Sequence, residues 1–70
     1  QNVFNKKLTH RQDEILQLLA EGHSIKEIAN ILHISPRTVE THKYNMMQEL
    51  KLKTTADLVK YAIKQGIISI

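Results

Sequence analysis

Between Ser35 and Asn45 the chain gathers a guanidinium (Arg37), two hydroxyls (Thr38, Thr41), a carboxylate (Glu40), an imidazole (His42), an ammonium (Lys43) and a phenol (Tyr44). These groups donate and accept hydrogen bonds and carry charge, but they lack the arrangements that make or break bonds. The histidines at positions 10, 23, 33 and 42 include no i, i+4 pair, cysteine is absent, and neither glycine belongs to a phosphate-cradling loop. Metal-assisted hydrolysis, thiol chemistry and nucleotide binding each lack their usual residues. The chain is therefore read as a non-enzyme with no metal, cofactor or small-molecule ligand. The chemistry on offer is recognition of a surface that presents hydrogen-bonding edges and negative charge.

Such groups act together only if one element displays them, and the start signals place that element. Ser35-Pro36 is an N-cap followed by proline at the first helical position, where the missing N–H is not needed and φ is already helical. Three other starts share a capping spacing, Thr9 with Gln12, Ser24 with Glu27 and Thr54 with Asp57. Gly22 and Gly66 each follow a helical pattern at a point where the chain needs positive φ. The expected fold is all-α, a four-helix bundle with helices at about 10–21, 25–32, 36–50 and 55–65. Only His33-Ile34 precedes Ser35 between helices two and three, the length of a helix-turn-helix turn, and His33 is expected to take the left-handed conformation there.

Apolar spacing says which faces turn inward. Ile15, Leu18 and Leu19 share a face of helix one, Ile25, Ile28, Ala29 and Leu32 a face of helix two, and Val39, Met46 and Leu50 a narrow line on helix three. That narrow line leaves helix three a broad polar face. In helix four Leu58, Tyr61 and Ala62 lie together, while Val59 and Ile63 sit further round, so the apolar arc spans about 200° where a core stripe covers little more than 100°. Either the C-terminal isoleucines fold back over the excess, or Val59 and Ile63 form a self-association surface, the reading preferred here.

At 70 residues with 41% apolar and 24% charged residues, the chain has room for one small packed domain and is not of disordered composition. Residues 8–70 are read as that domain and 1–7, which lack periodicity, as a linker remnant or loose arm. The absence of cysteine, of a membrane-length apolar run and of a signal-peptide segment fits the cytoplasm. Net charge is +3, unevenly spread: residues 9–32 carry −2 and residues 33–70 carry +3. The basic half thus contains the polar face of helix three, as a polyanion-binding surface requires.

A helix fits the major groove of double-stranded DNA, and helix-turn-helix proteins present the first part of their second motif helix to the base edges. On chemistry, Glu40 can accept from cytosine N4 or pair with Lys43 or Arg37, Thr41 can touch a thymine methyl or donate a hydrogen bond, and Lys43 can donate to guanine or phosphate. Arg37, Thr38, His42 and Lys43 are the phosphate candidates on helix three, helped by its N-terminus, with Ser24 and Lys26 anchoring helix two. Tyr44 can stack, bond a phosphate or simply pack. Aromatic content of 4% argues against RNA binding by base stacking.

The ordered run Leu8-Thr9-His10-Arg11-Gln12-Asp13-Glu14-Ile15-Leu16, Ala20-Glu21-Gly22, Ser24-Ile25-Lys26-Glu27-Ile28-Ala29, Leu32-His33-Ile34-Ser35, Thr38-Val39-Glu40-Thr41-His42 and Leu50 resembles the LuxR/FixJ-type (GerE-like) helix-turn-helix domain over about residues 8–68. The resemblance implies the output domain of a bacterial transcription regulator, most often a NarL/FixJ response regulator of a two-component system. It implies base reading at Glu40, Thr41 and Tyr44 and homodimerisation through helix four, with RNA polymerase as a further candidate partner and no membrane. Two departures stand out: Gln12 replaces the usual glutamate, and Gln48-Glu49 replaces the basic residue that commonly precedes the leucine. A sigma-factor region-four-like promoter-binding domain and a helical protein-interaction module are the alternatives.

Overall fold

The computed structural model describes residues 7–66, which form four helices: α1 (His10–Ala20), α2 (Ile25–Leu32), α3 (Pro36–Leu50) and α4 (Thr55–Lys64). The expected all-α order holds, with α1 and α4 each ending one residue sooner than the periodicity suggested, because Glu21 and Gln65 already serve as their C-caps. Residues 1–6 lie outside the described residues, and so does the fold-back expected of Ile67, Ile68 and Ile70.

Side chains at the N-termini satisfy the amide groups that no helical carbonyl reaches. In α1 the Gln12 amide donates to Thr9 Oγ1 at 3.1 Å and the Thr9 N–H donates to Gln12 Oε1 at 3.0 Å. In α2 Glu27 N donates to Ser24 Oγ at 3.1 Å and Ser24 N donates to Glu27 Oε1 at 2.9 Å. Glutamine and glutamate thus make the same reciprocal cap, each exchange worth about 1 kcal/mol. Thr54 Oγ1 accepts from Asp57 N at 3.0 Å without the return bond, consistent with the shorter aspartate side chain.

Three helices end in one way, with a left-handed residue and a backward bond from the residue after it. Gly22 (φ 99), His33 (φ 58) and Lys51 (φ 58) are the left-handed residues. The following amides reach back five positions, His23 N to Leu18 O at 3.1 Å, Ile34 N to Ala29 O at 3.0 Å and Leu52 N to Met47 O at 2.9 Å. This is the Schellman arrangement, in which an apolar residue beyond the stop often packs on one in the last turn. Ile34 on Ala29 and Leu52 on Met47 fit that pattern by type, and all four are buried or packed against the core.

The core consists of Leu8, Ile15, Leu16, Leu19, Ile28, Ala29, Val39, Met46, Leu58 and Ala62. Leu16 belongs to it, and Leu18, expected on the inward face, is half-buried beside it. Helix α1 is the hub: it packs against α2, α3 and α4, while α2 packs also on α3. Leaning mainly on α1, α4 buries Leu58 and Ala62 and leaves Ile63 38% exposed, with Val59 half-buried. Among the described residues the wide apolar arc of α4 is therefore covered fully at Leu58 and Ala62 and only in part at Val59 and Ile63.

Candidate nucleic-acid interface

The α2–α3 junction sets the geometry of the site. His33 at φ 58, ψ 43 turns the chain out of α2, and Ser35 at φ −76, ψ 153 starts α3. Ser35 Oγ accepts the Thr38 amide at 3.0 Å and lies 2.9 Å from Thr38 Oγ1, with Pro36 in the first turn. Ile34 packs against the core between this stop and this start, so the short turn is anchored from within. The result is a helix-turn-helix whose second helix, about 22 Å long at 1.5 Å per residue, is pinned by the fully buried Val39 and Met46.

The polar face of α3 is where the spacing put it. Arg37, Thr38, Glu40, Thr41 and Tyr44 are exposed, Tyr44 by 63%, whereas His42 and Lys43 are half-buried on the flanks of the inward line. His42 is half-buried, so part of its side chain is outside. Asn45 and Gln48 stand exposed as well, and neither was singled out by type alone. Thr41 Oγ1 donates to the Arg37 carbonyl at 3.0 Å. Glu40 takes part in no ion pair among the described residues, so the expected alternative in which it holds Arg37 or Lys43 is not adopted.

On α2 the Ser24 hydroxyl and the Lys26 ammonium are both exposed. Glu27 lies beside them, its pKa held below the ordinary 4.5 chiefly by the Ser24 amide and further by the His23 ring, whose Nδ1 is 3.5 Å from the carboxylate. Val59 and Ile63 sit on α4, which follows the helix-turn-helix in chain order. Among the described residues no group of three or more His, Cys, Asp or Glu is placed to hold a metal ion, and no helix is long and apolar enough to cross a membrane.

Residues 6–62 match the family described as "Bacterial regulatory proteins, luxR family". The chain belongs to that family. It is a helix-turn-helix domain of the kind that serves bacterial transcription regulators as their DNA-binding part. Among curated proteins it is 46% identical over 66 residues to the "Uncharacterized response regulatory protein YgeK" of Escherichia coli (strain K12), covering 94% of this chain and 45% of that protein. It is 48% identical over 61 residues to the "Oxygen regulatory protein NreC" of Staphylococcus carnosus (strain TM300), 87% of this chain and 28% of the relative. The "Transcriptional regulatory protein MctR" of Rhizobium johnstonii (strain DSM 114642 / LMG 32736 / 3841) is 47% identical over 62 residues, 89% of this chain and 29% of its own length.

The chain thus spans less than half the length of these relatives. A solved structure, the VqmA–ligand–DNA complex of Vibrio cholera, superposes with a TM-score of 0.83 at 30% identity, over 100% of this chain and 31% of that one. Family membership decides for the transcription-regulator reading over the sigma-factor one.

Proposed function

We propose that this luxR-family domain binds double-stranded DNA sequence-specifically as the output part of a cytoplasmic, two-component response regulator, with α3 in the major groove. The observation that carries the reading is the exposed face of α3: Arg37, Thr38, Glu40, Thr41 and Tyr44 stand outward from a helix fixed at Val39 and Met46, directly after a helix-turn-helix turn. On this reading Glu40, Thr41, Tyr44 and Lys43 read bases. Ser24, Lys26, Arg37, Thr38, His42 and Lys43 contact phosphates. Ser24 and Thr38 keep hydroxyl groups at helix N-termini, where N–H groups and the helix dipole favour an anion. The fold itself is what residues 8–70 supply, with residues 1–7 as a connecting arm.

The domain acts as a homodimer on DNA, joined through Val59 and Ile63 of α4, the half-buried and exposed apolar residues of that helix. A single reading helix makes few contacts, and joining two copies on adjacent half-sites raises the effective concentration of each. RNA polymerase is a further partner in this scheme, and the domain performs no catalysis.

Selection of bound duplexes from a random DNA pool, at moderate and at raised salt, tests the reading. The expected outcome is a motif of two half-sites about one helical turn apart, with affinity falling as salt rises because bound phosphates release counterions. A folded protein that enriches no motif would overturn it.

A further inference from the structure

The α3 face carries a bias in its hydrogen-bonding chemistry that bears on which bases it accepts. Thr41 has one hydroxyl proton, and that proton is engaged by the Arg37 carbonyl at 3.0 Å. With that proton engaged, exposed Thr41 has a methyl group and oxygen lone pairs left to offer, and no hydroxyl proton to donate to guanine O6 or N7. Glu40, one position earlier and exposed, is a carboxylate with no cation on it among the described residues, although Arg37 and Lys43 stand three positions to either side. An ionised carboxylate only accepts. Two successive outward positions therefore offer acceptors and a methyl, and no donor.

The major-groove code turns this into a base preference. Guanine shows two acceptors there and repels a carboxylate. Adenine N6 is a donor flanked by its own N7 and by thymine O4, both acceptors. Cytosine N4 is a donor with an acceptor on one side only, the guanine O6 of its pair. A carboxylate is therefore best matched by cytosine, and a methyl group by the thymine C5 methyl. We propose that Glu40 selects cytosine and Thr41 selects thymine, so that each half-site of the operator is fixed at these positions by acceptor and methyl readout. This rests on the reading of α3 as the groove helix and names the bases that helix takes.

The test uses the 70-residue chain and the duplex that wild type selects from a random pool, with circular dichroism confirming that each variant is folded. Repeating the selection with Glu40→Ala should relax preference at one position per half-site, and that position should be cytosine in the wild-type motif, favoured there by about tenfold. Replacing the thymine at the Thr41-sensitive position by uracil removes only the C5 methyl and should weaken binding about fourfold, as expected for losing one buried methyl. Thr41→Val, which keeps a methyl and loses the hydroxyl, should retain the penalty for uracil. Thr41→Ser, which keeps the hydroxyl and loses the methyl, should abolish it.

A wild-type motif with guanine or adenine at the Glu40-sensitive position overturns the Glu40 assignment while leaving sequence-specific binding intact. Equal binding of thymine and uracil duplexes overturns the Thr41 assignment in the same way. Absence of any selected motif overturns the groove-helix reading and this inference with it.

Discussion

Asp13 shows what a single carboxylate does when it is held against a neighbouring helix. Its Oδ1 is buried without a hydrogen-bond partner, and burial raises its pKa above 3.8, with the His10 charge pulling the other way. A carboxyl whose folded pKa is raised stabilises the fold most while protonated, below 3.8, and that contribution is lost as pH rises through the folded value. Asp13→Asn should therefore be more stable than wild type at neutral pH. The gain should vanish in urea unfolding below pH 4 or so. Tyr61, raised above 10.0 mainly by burial and then by the Asp13 charge, should titrate lower in the same variant.

Lys51 is the second residue with an unusual burden, since a lysine at φ 58 sits in the left-handed region that costs a non-glycine residue about 1–2 kcal/mol. Lys51→Gly should relieve that strain, less the roughly 0.5–1 kcal/mol of extra chain entropy glycine loses on folding. A net gain of about 0.5–1 kcal/mol in thermal unfolding is expected, and Lys51→Val should lose stability. Gly22 and His33 were legible as left-handed residues from glycine's freedom and histidine's tolerance. Lys51 was not, because nothing in its type marks it. The signal lay five positions apart, in Met47 and Leu52, whose carbonyl and amide close the turn at 2.9 Å.

At the scale of elements, start signals were more informative than stops. Thr9, Ser24, Ser35 and Thr54 all cap as hydroxyls should, because capping is a local bond between residues three apart. Burial was less local. Leu16 and Leu18, two positions apart, lie on nearly opposite sides of α1, and that Leu16 is fully buried while Leu18 is only half-buried depends on how three helices wrap α1, something a helical period alone does not contain. The excess arc of α4 was legible, and the structure leaves Ile63 exposed and Val59 half-buried on it. If this arc joins two copies, Ile63→Lys should leave unfolding within about 0.5 kcal/mol of wild type, as surface changes do. It should also reduce affinity for a two-half-site duplex at least tenfold while sparing a single half-site, read by fluorescence anisotropy. Equal loss on both duplexes would remove Val59 and Ile63 from the dimer account.

For the whole molecule, a small core suspends a long polar helix face beside the basic half of the chain. The α3 face was legible because periodicity, the Ser35-Pro36 start and the charge asymmetry all point to it. The hydrogen bond that turns Thr41's proton inward and the lack of an ion pair on Glu40 were not, since both depend on rotamers that residue type leaves open. Amide chemical-shift mapping of the labelled chain during titration with its selected duplex tests the groove-helix claim most directly. The largest changes should fall at Ser24–Lys26 and Ser35–Asn45, with an unrelated duplex giving smaller ones that salt removes. Changes concentrated on α4, or the same pattern and size with any duplex, would contradict it.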